Sequence, residues 1–292
     1  MKILNFGSLN IDYVYKVDHF VKKGETLSSE ALHVYSGGKG LNQSVALGRA
    51  GAEVYHAGKI GKDGSFLLEV LREAGVHTDF IRVTEMERSG NAIIQNDAQG
   101  DNCILLYGGA NLAITREEVD ETLSGFFAGD YCVLQNEINE LHYIVEKAHE
   151  RGMVIVLNPS PMDQKITALP LQLIDWFILN EVEAAQLTER QASDGELLLA
   201  ELMRKFPEAH IVLTLGEAGA LYGYREERFC QEIYRTEVVD TTAAGDTYTG
   251  YLLAALLAGE TVQRAMALAA RAAAITVSRR GAAPAIPRRE EL

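Results

Sequence analysis

Cysteine is scarce. Only Cys103, Cys132 and Cys230 occur in 292 residues. They are widely spaced and odd in number, so they build neither a disulfide framework nor a zinc site, and a reducing cytoplasm is the expected setting. Positive charge is also in deficit. Lys and Arg number 27 against 41 Asp and Glu, a formal net charge of −14. That balance argues against broad binding to nucleic acid or anionic membrane, because both need a basic face. A small anionic ligand needs only a local pocket and is not excluded. Long apolar runs are missing: Tyr251 to Ala258 falls far short of the ~20 residues a membrane span requires. The opening MKILNFGSLNID lacks a sustained apolar core and a cleavage site, so it reads as a strand and not as a signal peptide. The histidines show no HExxH or other close-spaced ligand pattern. His142 and His149 fall seven apart on an expected helix and read as solvated surface groups.

What is present is an ordinary globular mix, 47% apolar and 23% charged, long enough to bury a core without staples. From about residue 115 the pattern is regular. Thr115 with Glu118 makes a capping box before an apolar-periodic stretch to Phe127. Tyr131 to Gln135 reads as a strand. Asn139 is expected to cap a helix running to Arg151 and stopping at Gly152. Strands at Met153 to Leu157, Trp176 to Leu179 and Ile211 to Leu215 alternate with a short helix from Asn180 and a longer one from Asp194 to Phe206. Helices over Gly245 to Ala258 and Thr261 to Val277 close the chain. Apolar strands alternating with amphipathic helices predict an α/β fold, a doubly wound, mostly parallel sheet covered on both faces.

The first third differs. Asn10 to Ser36 lacks a helical period, and Ser89 to Tyr107 alternates around Gln99-Gly100-Asp101, a hairpin signal. Helices are expected near Gly40 to Ala50 and Ser65 to Ala74. The two strand-rich pieces, about 12–36 and 88–107, are read as one small antiparallel β lid inserted into a single domain spanning 1–292. The alternative is a pair of hairpins extending the main sheet.

Three motifs carry chemistry. Asp240-Thr241-Thr242-Ala243-Ala244-Gly245-Asp246-Thr247 precedes an apolar helix. Small residues there let a ligand approach N–H groups at a helix N-terminus, where anions bind. Asp246, in the first turn, can accept a proton from a hydroxyl while that hole stabilises a transferring phosphoryl group. The blander alternative is that Asp246 only caps the helix. Ser36-Gly37-Gly38-Lys39-Gly40-Leu41-Asn42-Gln43 is a glycine-rich entry to a helix, and Asn42 offers both a donor and an acceptor to a polyol. It is not a Walker A loop, which would need glycine at His33 and Ser or Thr at Gly40. Gly7-Ser8-Leu9-Asn10-Ile11-Asp12 follows a strand end and places Asn10 and Asp12 on one side of an extended chain.

Together these segments resemble the ribokinase family, the PfkB carbohydrate kinases, over nearly the whole chain. GSLNID is similar to that family's sugar-binding segment, SGGKGLNQSVA to its first signature, and GKIGKDGSF (Gly58 to Phe66) to the segment after it. NPSP (Asn158 to Pro161), NEVEAAQLT (Asn180 to Thr188) and DTTAAGDTYTG (Asp240 to Gly250) follow suit, with Tyr248 where Phe is usual. SRRGAAPAIPRREEL resembles the ribokinase C-terminus. The resemblance implies an ATP-dependent kinase, with Asp246 as the base and Ala243, Ala244 and Gly245 as the anion hole. It implies that Asn10, Asp12, Gly38, Lys39, Asn42 and Glu137 hold the sugar. Asn180 and Glu183 would organise Mg²⁺ and the phosphates through water, and Thr214 and Gly216 would line the ATP site. Asp240 and Thr242, with carbonyls near Thr276, Arg279 and Gly281, would enclose a monovalent cation, usually K⁺. Ala285 stands where a serine hydroxyl is common, and Arg271 is unusual on the adenine-side helix. A homodimer through the lid follows by family analogy.

The NQ after GGKG and the NPSP loop favour D-ribose as acceptor. Another sugar, a sugar acid or a nucleoside is the nearest alternative. A non-catalytic sugar or nucleotide sensor would lack the base, yet Asp246 and Glu183 are intact. A Rossmann dehydrogenase would need GxGxxG after the first strand, where GSLNID stands instead.

Overall fold

The computed structural model describes residues 1–99, 101–190 and 194–292. Its strands are β1 (Ile3–Phe6), β2 (Asn10–Lys16), β3 (Ala31–Gly37), β4 (Val54–Gly61), β5 (His77–Thr84), β6 (Gly90–Asn96), β7 (Asn102–Tyr107), β8 (Tyr131–Gln135), β9 (Val154–Asn158), β10 (Trp176–Asn180), β11 (His210–Thr214), β12 (Ala220–Tyr224) and β13 (Glu227–Gln231). Its helices are α1 (Lys39–Arg49), α2 (Ser65–Glu73), α3 (Arg116–Leu123), α4 (Leu141–Glu150), α5 (Gln164–Thr167), α6 (Glu181–Thr188), α7 (Gly195–Lys205), α8 (Ala244–Leu257) and α9 (Val262–Val277).

Nine strands form the large sheet in the order β13-β12-β11-β10-β9-β8-β1-β4-β5. From β11 to β5 every pairing is parallel; β12 and β13 add an antiparallel edge. A parallel sheet needs cover on both faces, and the side chains supply it. On one face Val119, Ile144, Ala184 and Leu199 of α3, α4, α6 and α7 pack over Phe6, Leu134 and Leu157. On the other, Leu41, Leu67, Leu252 and Ala269 of α1, α2, α8 and α9 pack over Ile3, Val133 and Val156. Among the described residues no helix is long and apolar enough to cross a membrane.

The two strand-rich pieces do form one separate sheet, in the order β3-β2-β6-β7. Each hairpin is antiparallel, and the seam between them is the parallel pair β2–β6. Gly100, in the expected hairpin turn, lies outside the described residues. Asp97 Oδ1 accepts from the amides of Gln99 and Asp101 on either side.

The Thr115–Glu118 capping box is made as read, and Asn180, expected to begin a helix, closes a capping box with Glu183. Asn139 is a correction. It does not cap α4, whose N-cap is Glu140 in a left-handed conformation. The Asn139 amide is taken by Ile114, accepting from its N–H at 3.0 Å and donating to its carbonyl at 2.8 Å. The opening segment is also not one strand. It breaks at Gly7 to Leu9 and passes from the large sheet into the small one.

Candidate active site

The carboxyl ends of β1, β8, β9, β10 and β11 point to one edge of the large sheet. Strand order reverses between β1 and β8, so a crevice opens there. A cavity of about 220 Å³ lies along this edge. Its lining includes Lys39, Asn180, Glu183, Thr214, Ala243, Ala244, Gly245 and Asp246, eight of the residues singled out from sequence. Asn158, Ser160, Ile178, Leu179, Thr241 and Thr249 complete it.

Asp246 does not cap α8. The N-cap is Ala243, left-handed at φ 61°, with no side-chain cap. The Asp246 carboxylate is buried and accepts from Asn42 Nδ2 at 3.2 Å and Gln43 Nε2 at 3.0 Å. α-Helical bonding cannot reach the first-turn amides, but not all of them are free. Ala244 N–H donates to Thr241 O at 3.2 Å. A Cβ placed on Gly245 would meet no heavy atom within 4 Å, so the space before these amides is open.

Opposite stands the glycine-rich entry to α1. Gly38 sits at φ 93°, a conformation side chains disfavour, and this turns β3 into α1. Lys39 N–H donates to Glu137 Oε2 at 2.8 Å, and Ser8 Oγ donates to the same oxygen. Burial alone would lower the pKa of the Lys39 ammonium, but the charges of Asp246, Glu137 and Glu183 outweigh it and hold the pKa above its ordinary value. Burial raises the Glu137 carboxyl, Asp246 adding to it, against hydrogen bonds from Ser8 and Lys39. Asp12 is pushed up to about 6, by burial first and the Glu137 charge second.

Asn10 and Asp12 share one face at the foot of β2. Asn10 Oδ1 accepts from Asn111 Nδ2 at 2.7 Å, while Asn111 Oδ1 accepts from Leu9 N–H at 3.0 Å. Asn111 therefore orients a sugar-site candidate and was not singled out. Nothing in its local sequence marks it, since its partners are about a hundred residues away.

The remaining candidates fall nearby. Asn180 and Glu183 bond each other in the α6 capping box, Asn180 Nδ2 to Glu183 Oε1 at 3.0 Å and Asn180 N–H to Glu183 Oε2 at 3.0 Å. Thr214 Oγ1 donates to Leu179 O at 3.3 Å. Gly216 lies in the turn after β11, at φ 55°, and is not among the residues lining this cavity. Asp240 accepts from Thr242 N–H at 2.9 Å, Thr242 Oγ1 at 2.6 Å and Gly281 N–H at 2.9 Å, which ties the loop before α8 to the loop after α9. Thr276 Oγ1 donates to Ala272 O and accepts from Thr247 Oγ1, and Arg279 pairs with Glu291. Ala285 is buried and Arg271 exposed.

A buried carboxylate, helix-terminal amides and a half-buried ammonium in one crevice are the equipment of a phosphoryl-transfer enzyme. A family model described as pfkB family carbohydrate kinase matches residues 1–289. The chain belongs to that family and is a phosphotransferase acting on an alcohol group. It is 33% identical to a ribokinase of Staphylococcus aureus, over 100% of this chain and 98% of that one. It is 34% identical to a ribokinase of Bacillus subtilis, over 98% and 96%. Among solved structures it resembles a ribokinase of Thermotoga maritima, with a TM-score of 0.88, 31% identity and coverage of 100% and 97%. An Arabidopsis thaliana ribokinase complexed with ribose and ATP matches with a TM-score of 0.88, 26% identity and coverage of 99% and 96%.

Proposed function

We propose that this enzyme transfers the terminal phosphate of ATP to the primary hydroxyl of a small sugar, D-ribose, giving ribose 5-phosphate. The observation that carries the reading is Asp246, buried beside open amides at one crevice and held by two side-chain amides from α1. Asp246 takes the proton of the hydroxyl as it attacks. The Ala243 and Gly245 amides receive the charge on the transferring phosphoryl, Ala244 N–H being turned to Thr241 O, and Lys39 keeps its cationic form to add to that field. Asn10, Asp12, Gly38, Asn42 and Glu137 orient the sugar. Thr214 and Gly216 bound the nucleotide side.

The donor set fits Mg²⁺ held through water. Glu183 faces the cavity with both oxygens already accepting from Asn180, so it suits water-borne protons better than direct ligation. When bound, the metal neutralises phosphate charge. Asp240, with Thr242 and the 276–281 loop, suits K⁺, since an anchored carboxylate gathers two loops there.

The small sheet serves as the lid of a single domain, excluding water that would otherwise take the phosphate. Its strands expose Val34, Ile104, Leu105 and Leu106, apolar area that a second copy would cover in a homodimer. Three free cysteines agree with a cytoplasmic setting.

The test is ADP release with ATP, Mg²⁺ and K⁺ over a panel of pentoses, deoxypentoses, hexoses, sugar acids and nucleosides. Ribose is expected to give the highest kcat/KM. A hundred-fold preference for another acceptor overturns the ribose assignment; a deoxyribokinase of Salmonella typhi is 28% identical over the whole chain. Asp246→Asn is expected to keep nucleotide affinity and lose turnover by several orders of magnitude. Retained turnover removes Asp246 from the base role.

A further inference from the structure

Behind Asp246 runs a line of buried polar side chains with a fixed direction. His56 is fully buried, and its Nε2 lies 3.2 Å from Gly7 O. A carbonyl only accepts, so Nε2 carries the hydrogen and Nδ1 is the acceptor. Ser44 Oγ, 2.8 Å from that Nδ1, must donate to it. Ser44 Oγ in turn accepts from Asn5 Nδ2 at 2.8 Å, and the same nitrogen donates to Gly40 O at 2.8 Å. Asn5 therefore turns its Oδ1 the other way, where Gln135 Nε2 donates to it at 2.9 Å.

Gln135 Nε2 also donates to Gln43 Oε1 at 2.8 Å. Turned round, Gln135 would set its oxygen against two acceptors. The orientation it keeps leaves Gln135 Oε1 without a partner among the described residues. With its oxygen engaged, Gln43 presents Nε2 to Asp246 Oδ1 at 3.0 Å and to Asn158 Oδ1 at 3.2 Å. Asn158 is fixed the same way, donating Nδ2 to Ile178 O at 2.8 Å. Backbone carbonyls at Gly7, Gly40 and Ile178 thus dictate every amide. None is free to turn an oxygen toward the carboxylate.

We propose that Gln43 and Gln135 are positioning residues for phosphoryl transfer, holding the Asp246 carboxylate by an N–H whose direction the protein interior dictates. The base then meets the acceptor hydroxyl in one orientation, with a lone pair left for its proton. The proposal rests on the reading of Asp246 as that base.

The experiment measures single-turnover rate by rapid quench, both KM values and thermal melting for Gln43→Met, Gln135→Met and Asp246→Asn. Misplaced general bases lose rate more than binding, so Gln43→Met is expected to slow phosphoryl transfer about 10²-fold and Gln135→Met about tenfold. Both KM values are expected to stay within about threefold. Gln43→Glu is a near-isosteric variant that keeps the fold; at alkaline pH it faces Asp246 with an acceptor and is expected to be as slow as Gln43→Met. A folded Gln43→Met or Gln43→Glu within twofold of the parent rate overturns the proposal. So does a loss that resides in KM alone. Loss of turnover in Asp246→Asn beside normal Gln43 variants sinks the positioning role and spares the base. Retained turnover in Asp246→Asn sinks both.

Discussion

Asn42 Nδ2 donates to Asp246 Oδ2 across 3.2 Å, although 204 residues separate them in sequence. The contact depends on how closely α1 and α8 approach. A Cβ on Gly250 would fall 2.4 Å from Ala46 Cβ and 2.9 Å from Leu47 N. Gly250 is what lets the two helices bring the first signature onto the second.

Gly250→Val is therefore expected to push α8 off α1. Overpacking of this kind destabilises by about 1–3 kcal/mol. Turnover should fall further than stability, because Asn42 and Gln43 lose their reach to Asp246. Melting curves and kcat measured well below the transition check both parts. A stable, fully active Gly250→Val would show that the helix spacing is not critical.

Gly245 is the opposite case. Its absent side chain faces open cavity, where a Cβ meets no heavy atom within 4 Å, so Gly245→Val is expected to fit without displacing its neighbours. The melting temperature is expected to hold within a few degrees. A branched side chain would still obstruct an anion approaching the amides, at a cost in kcat/KM for ATP of roughly 10²-fold. Unchanged ATP kinetics would move the phosphate site elsewhere.

Asp12, raised to about 6, is expected to make sugar binding pH-dependent if it holds the sugar as proposed. As the ionised form accepts from hydroxyls, the sugar KM should rise by about tenfold per pH unit below that value. Stability runs the other way. The native carboxyl holds its proton more tightly than the unfolded one, so its ionisation weakens the fold as pH climbs from about 4 to about 6. Asp12→Asn should then melt higher than the parent at neutral pH, with the gap narrowing toward pH 4, while its sugar KM suffers. A flat KM profile between pH 5 and 7 would contradict this.

His56 opposes Asp12 over much of the same range. Burial lowers its pKa to about 4, against an acceptor bond from Gly7 that pulls up. Its contribution to stability is complete above about pH 6.5 and is lost as pH falls toward 4, on the order of 3 kcal/mol. His56→Gln should flatten the acid side of the stability curve. Denaturant midpoints between pH 4 and 7 would show it; an unchanged slope would mean that other groups set acid sensitivity.

Elements whose signals are local were legible before any coordinates. Thr115 closes its capping box with Glu118, and Asn180 begins α6, each through partners within four residues. The strands β8 to β11 announce themselves as short apolar runs because both of their faces are covered. Asn139 misleads because a cap-like residue two places before an apolar helix is an ordinary local pattern, while the Ile114 backbone that claims it is distant. The edge strand β13 is mostly exposed and mixed in sequence, and β12 beside it is short and interrupted by Gly223, so neither carries a clear local signal. Gln43, though it stands in the glycine-rich motif, and Asn111 carry no local mark of their roles. Each acts through partners far along the chain.

The sequence by itself determined which groups this protein has for moving a phosphate: a carboxylate at a helix start, small residues before it, a lysine among glycines. Helix capping, turn formation and apolar periodicity are near-neighbour effects, and near neighbours are what a sequence spells out. Only the tertiary structure decided that these groups face one crevice, that Lys39 keeps its proton among carboxylates, and that the Asp246 carboxylate is gripped by amides turned one way. Those outcomes arise from burial and from charges and dipoles meeting across the sheet edge, and their strength depends on distances that chain order does not contain.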